Sequence, residues 1–210
     1  MTRAPAEQAE AGSLTAESII PFLAEVFEQR GGEAYLGEAV TMAEHMLQAA
    51  YLAEQQDEPE VVIAAALLHD IGHFVGAFGT FSMADRHDRR HEESGARILE
   101  RFFPPLVVDC VRHHVAAKRY LCATDPDYFA ALSEASIHSL GLQGGPMKPE
   151  EAAAFARNPN IEAILRVRRL DDAGKVAGMQ TPPFAHYAPL LQRVVDDHGA
   201  SAAPEADEAG

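Results

Sequence analysis

His69 and Asp70 stand side by side in Leu67-Leu68-His69-Asp70-Ile71-Gly72-His73, at the end of an uncharged apolar run from Val61 to Leu68. That run delivers an imidazole and a carboxylate together into an interior where an unpaired charge is costly. Nitrogen and oxygen donors packed this tightly are most simply explained by a metal. His73 lies one helical turn beyond His69 and can face the same cavity, whereas Asp70 is rotated about 100° away. A carboxylate has two oxygens, so Asp70 can bridge two cations while His69 binds one of them. His45 and Asp171, both on inward stripes, could complete the first ion, and His91 and His114 could serve a second. Imidazole and carboxylate without thiolate suit iron, manganese or zinc.

A single buried histidine is more often a satisfied core residue than a ligand, and adjacency within an apolar helix is what separates His69 and Asp70 from that reading. His87, His113, His138 and His198 are read as exposed or as supporting residues, and His186 as a structural hydrogen bond to the closing C-terminal segment. A second set of side chains could grip an anion. Lys118 lies one turn beyond His114, and Arg168 three residues before Asp171, each pair on one helical face. Two such cations near metal ligands suit a phosphate or phosphonate. Ser136 and Gln143 could add neutral donors.

The elements that must position these groups read as helices. Periodicity predicts a helix over 15–29, stopped by Gly31-Gly32, and a second over 33–55 whose stripe carries Glu38, Met42, His45, Ala49 and Leu52. Pro59 and Gly72 bracket a third that holds residues 61–69. Residues 74–90 are polar and contain glycine, which predicts a loop. Further helices are expected over 91–103, 105–120 and 128–141, and from about 160. In the 105–120 helix the phase buries His114 and turns His113 about 100° away. No stretch alternates with period two, so the expectation is an all-α fold: a single helical bundle with a dinuclear metal site in its core.

The chain has 210 residues, enough for one domain with a substantial core. We expect disordered tails at 1–13 and 199–210 around a domain spanning 14–198. A formal charge of -15 argues against a nucleic-acid surface or an anionic membrane. Two cysteines suggest no disulfide framework, and no apolar run reaches the length of a bilayer span. A cytoplasmic protein is the expectation.

His45, then His69-Asp70, then the distant Asp171 resemble the HD-domain superfamily, most of whose members are metal-dependent phosphohydrolases. More specific strings narrow this: Tyr35-Leu-Gly-Glu38, His114-Val-Ala-Ala-Lys118, Gln143-Gly-Gly-Pro-Met147 and Arg168-Arg-Leu-Asp171-Asp-Ala-Gly-Lys175. From about Tyr35 to His186 the chain resembles the HD-domain mixed-valent diiron phosphonate oxygenases of the PhnZ/TmpB type. The resemblance implies one iron held by His45, His69, Asp70 and Asp171, and another by His91, His114 and the shared Asp70, as an Fe(II)/Fe(III) pair. It implies that Lys118, Ser136, Gln143 and Arg168 hold a phosphonate group, that His73 shuttles the substrate hydroxyl's proton, and that Tyr35 ligates an iron when substrate is absent. Glu38 matches a substrate-sensing acid, suited by charge to a substrate ammonium. The implied reaction uses O2 to break the C–P bond of a 1-hydroxyphosphonate, giving phosphate and a carboxylate. The expected substrate is 2-amino-1-hydroxyethylphosphonate or its N-methylated analogue. The rival readings are a metal-dependent HD phosphohydrolase acting on a small phosphate ester, separated by its indifference to oxygen, and a non-catalytic binding module.

Overall fold

The computed structural model describes residues 14–35, 37–75 and 90–202. The expected tail at 1–13, His87 and most of the expected loop at 74–90 lie outside the described residues. Among the described residues the secondary structure is helical, apart from one isolated bridge between Ala34 and Thr41. In chain order the helices are α1 (Ile19–Arg30), α2 (Met42–Gln55), α3 (Glu60–Leu68), α4 (Gly72–Val75), α5 (His91–Leu99), α6 (Pro105–Thr124), α7 (Pro126–Ala130), α8 (Glu134–Leu142), α9 (Pro149–Phe155), α10 (Ile161–Ala173) and α11 (Phe184–Ala202). None is long and apolar enough to cross a membrane.

The centre of the molecule is α3. Residues from Val62 to Leu68 are all buried, with α2, α6, α10 and α11 packed around them. A helix apolar on every side has no alternative to the core. Leu67 and Leu68 are fully buried, and each contributes on the order of 2 kcal/mol by leaving water. His69 and Asp70, which follow directly, are therefore held by a rigid element.

Two expectations about helix boundaries are corrected. The helix expected over 33–55 begins at Met42, because Thr41 and Glu44 form a reciprocal cap: Thr41 Oγ1 accepts the Glu44 N–H at 3.2 Å and Glu44 Oε2 accepts the Thr41 N–H at 2.7 Å. Glu38 thus lies on a turn ahead of α2, where Gly37 takes a positive φ of 76°. The single helix expected over 128–141 is instead α7 and α8. Ser133 Oγ accepts the Ser136 N–H at 3.2 Å and starts a new helix there. In addition, α4 makes one helical turn where a loop was expected from Phe74, and α11 continues to Ala202, beyond the boundary expected at 198.

Gly72 is where α4 meets α5. A Cβ there would sit 1.8 Å from the carbonyl oxygen of His91 and 2.8 Å from the nitrogen of Gly95. Only a glycine lets the two backbones come so close, and that approach brings His91 to Asp70. Gly174, just past the end of α10, makes a looser approach of the same kind: a Cβ there would meet His45 O at 3.0 Å and Ala49 N at 3.1 Å, tight but short of an outright clash.

Candidate metal centre

Two groups of three donors face each other across Asp70. The first joins His45 of α2, His69 at the end of α3 and Asp171 of α10; the second joins Asp70, His91 of α5 and His114 of α6. In the first group the Nε2 atoms of His45 and His69 are 3.0 Å apart. Asp171 lies 3.5 Å from His45 Nε2 through Oδ1 and 3.8 Å from His69 Nε2 through Oδ2. In the second, the Nε2 atoms of His91 and His114 are also 3.0 Å apart. Asp70 Oδ1 is 3.2 Å from the first of these and 3.3 Å from the second. Asp70 Oδ2 points the other way, 3.5 Å from His45 Nε2 and 3.4 Å from His69 Nε2. One carboxylate therefore gives an oxygen to each group.

Backbone partners assign the histidine tautomers. Nδ1 of His45 donates to Gly174 O, Nδ1 of His69 to Ala66 O and Nδ1 of His114 to Val111 O, each at 2.8 Å. A neutral imidazole whose Nδ1 carries the proton presents a lone pair at Nε2. Across the 3.0 Å between His45 Nε2 and His69 Nε2, a positive charge must therefore sit: a proton carried by His69, or a metal ion that takes its place. Asp171 Oδ1 is buried and has no hydrogen-bond partner among the described residues. A ligand bond of about 2.1 Å puts neighbouring donors about 3.0 Å apart at right angles and about 3.4 Å apart in a tetrahedron. All the separations but the 3.8 Å from His69 to Asp171 lie between 3.0 and 3.5 Å, close to those edges, so the residues suit a pair of metal ions.

The electrostatics agree. Burial opposes charge on Asp70, yet His69, His114 and His45 outweigh it and hold its carboxyl well below the usual range. Burial likewise opposes charge on Asp171, and Arg168, His69 and Lys175 hold it ionised. Burial works against an imidazolium at His69, but Asp70 and Asp171 push it up to about 9. The pocket thus attracts positive charge strongly. Burial pushes His73 well down, and His91 adds to the effect, so His73 is neutral.

A cleft of about 440 Å³, its mouth included, opens onto the second group. Tyr35, His73, Lys118, Gln143 and Arg168 line it. The Tyr35 ring stacks on His45 at 4.0 Å between centroids, and His73 stacks on His91 at the same distance. His73 Nε2 is 3.9 Å from Asp70 Oδ1. Gln143 Oε1 is buried without a hydrogen-bond partner among the described residues. Arg168 Nη1 lies 2.6 Å from Asp171 Oδ2. Burial, with Arg168 nearby, pushes the Lys118 ammonium down to about 7.

Two residues expected at the anion or substrate do not line this cleft. Ser136 is buried, but its hydroxyl accepts from Lys175 Nζ at 3.0 Å and it does not line the cleft. Ser139 lines it instead and accepts from Lys118 Nζ at 2.8 Å. The two serines are one helical turn apart on the same face, so periodicity alone does not choose between them. Glu38 is also off the cleft wall; its Oε1 accepts from Ser133 Oγ at 2.6 Å. His186 is exposed and pairs with Glu54 of α2 at 2.9 Å, which corrects the partner expected in the C-terminal segment. His113, His138 and His198 are half-buried and belong to neither donor group. Sequence reasoning missed Ser139, Tyr128 and Asp172; for Asp172, its place beside Asp171 was the available signal.

Comparison with known proteins follows the same line. The HD domain family matches residues 42–165. The chain is 62% identical over 181 residues to the 1-hydroxy-2-(trimethylamino)ethylphosphonate dioxygenase (glycine-betaine-forming) of Leisingera caerulea, covering 86% of this chain and 92% of that protein. It is 42% identical over 168 residues to the hydroxymethylphosphonate dioxygenase of Gimesia maris, covering 76% and 80%. With its paired donor groups and these relatives, the chain belongs to the HD-domain family and, within it, to the group of the phosphonate dioxygenases.

Proposed function

We propose that this protein uses O2 to cleave the C–P bond of 1-hydroxy-2-(trimethylamino)ethylphosphonate, giving inorganic phosphate and glycine betaine. The observation that carries the reading is Asp70, whose two oxygens serve two separate histidine pairs beside a cleft lined with cations. The 62% identical relative supports the trimethylated substrate over the free amine. The reaction balances without a further reductant: the hydroxyphosphonate dianion and O2 give the carboxylate, hydrogen phosphate and one proton. We assign two iron ions in a mixed-valent Fe(II)/Fe(III) pair to the donor groups. When bound, they supply the redox chemistry that a C–P bond requires.

The remaining roles fall to the chain's own side chains. Lys118 and Arg168 neutralise the phosphonate, with Gln143 and Ser139 as neutral partners. Its neutral state and its place beside Asp70 suit His73 to accept the substrate hydroxyl's proton. The stacking of Tyr35 on His45 supports a role at the iron held by His45 when substrate is absent. For the quaternary ammonium we retain Glu38, whose side chain among the described residues is held by the Ser133 hydroxyl. The test is phosphate release by iron-loaded protein with and without oxygen, with EPR on the same sample. Oxygen-dependent release with a mixed-valent diiron signal is expected, fastest with the trimethylated substrate. Release without oxygen would move the protein to the phosphohydrolases.

A further inference from the structure

We propose that Asp172, together with Tyr128, is the positioning residue that fixes the Arg168 guanidinium for the phosphonate group. The inference rests on reading Arg168 as a phosphonate contact, and it adds two residues that touch neither metal nor substrate.

Arg168 is buried on α10, with Asp171 three residues on and Asp172 four residues on. Asp172 grips one edge of the guanidinium from below: Oδ2 accepts from Nε at 3.0 Å and Oδ1 accepts from Nη2. Tyr128 reaches in from α7. Its hydroxyl donates to Asp172 Oδ2 at 2.5 Å and accepts from Arg168 Nε at 3.0 Å. Lys175 Nζ, 3.4 Å from Asp172 Oδ1, sits on the other side of the same carboxylate. The Nε–Nη2 edge is therefore closed, and Nη1 is the end turned toward Asp171 and the cleft.

That division has a consequence for both sites. A planar guanidinium binds carboxylate or phosphonate through fixed edges, so its rotation decides what it can hold. Without the Asp172 fork, the nearest carboxylate left to Arg168 is Asp171, a donor of the first metal group. Arg168 would swing toward Asp171 and away from the anion. Charge balance points the same way: Asp171 and Asp172 offset Arg168 and Lys175, so removing one carboxylate leaves a buried cation short of a partner.

The test uses full-length, iron-loaded protein. Methylphosphonate, which lacks the hydroxyl needed for turnover, is titrated calorimetrically, and KM and kcat are measured with the trimethylated substrate. Arg168→Lys sets the scale for losing the fork. Tyr128→Phe is expected to weaken methylphosphonate binding about 5-fold, less than the full worth of its two charge-assisted hydrogen bonds because the Asp172 fork stays in place. Asp172→Asn is expected to weaken it about 30-fold, in the range of a charge-assisted pair, and Asp172→Glu to recover part of that loss. KM should rise by more than kcat falls, with iron content unchanged. The double variant should bind about as weakly as Asp172→Asn, because both residues act through Arg168. If Arg168→Lys weakens binding while Tyr128→Phe and Asp172→Asn do not, the inference fails and the functional reading stands. A loss confined to kcat also overturns it. Should Asp172→Asn lose iron, Tyr128→Phe decides: unchanged affinity refutes the proposal, weakened affinity supports it. Wild-type protein that neither binds methylphosphonate nor releases phosphate would remove the reading of Arg168 itself.

Discussion

Gly72→Ala should detach one metal and leave the other. The added Cβ would lie 1.8 Å from His91 O, 2.7 Å from His91 C and 2.8 Å from Gly95 N. All three are backbone atoms, so no side-chain rotation relieves the clash. Reaching an ordinary 3.4 Å contact means moving the His91 oxygen by roughly 1.6 Å. The α3–α4 elbow is anchored by Leu67, Leu68 and Ile71, all fully buried, whereas the first turn of α5 is half-exposed. The first turn of α5 therefore yields and carries His91 away from Asp70 Oδ1, now 3.2 Å off. Metal-ligand distances tolerate only about 0.2 Å, so the second group loses a ligand outright. Affinity for that ion should fall by about 100-fold or more, as even the loss of a supporting contact costs 10–100-fold. The overpacking itself costs about 1–3 kcal/mol, which the fold can absorb. The first group, on α2, α3 and α10, keeps its geometry. The assay is iron per chain after dialysis, read beside the thermal midpoint: on the proposed diiron reading, the content should fall from two toward one, with EPR losing the coupled signal expected of the pair. Two ions at unchanged affinity would refute the argument that Gly72 sets the approach of His91. Loss of both ions together would show that the elbow, and not α5, gives way.

Asp70→Asn and Asp171→Asn should separate the shared ligand from the private one. The first should empty both positions and the second should weaken only the His45–His69 position, read as metal per chain; an Asp70→Asn protein that retains two ions would sink the bridging role. The pH dependence should report Lys118. Its ammonium, pushed down to about 7 by burial and Arg168, is charged below that pH and neutral above it. Phosphonate attraction is therefore present at low pH and lost as pH rises, so kcat/KM should fall along an alkaline limb that begins near neutrality. Lys118→Met should lower the plateau and flatten that limb, and an unchanged limb in the variant would assign the titration to another group.

Several features of this protein are legible in the chain alone. The apolar run at 61–68 leaves α3 only the core to occupy, and His69 and Asp70 travel inward with it. The phase of α6 separates His114, buried, from His113, half-buried, because adjacent helical residues point about 100° apart. Local rules did less well at helix ends. The Thr41–Glu44 cap overrode a longer apolar stripe, and Ser133 cut one expected helix into two. Pairing and orientation were decided only in three dimensions. Nothing local dictates that His45 meets His69 at 3.0 Å across α2 and α3, or that Asp70 turns one oxygen to each group. Ser136 and Ser139 share a helical face, and packing against Lys118 and Lys175 chose their partners. The fork of Asp172 on Arg168 could be drawn on a helical wheel, but Tyr128 arrives from 40 residues away. Helical period is a local property of the backbone, so sequence determined which faces are apolar and which donors turn inward. Which donors meet depends on how closely the helices approach, and that is set by contacts such as Gly72 against His91 and Gly174 against His45.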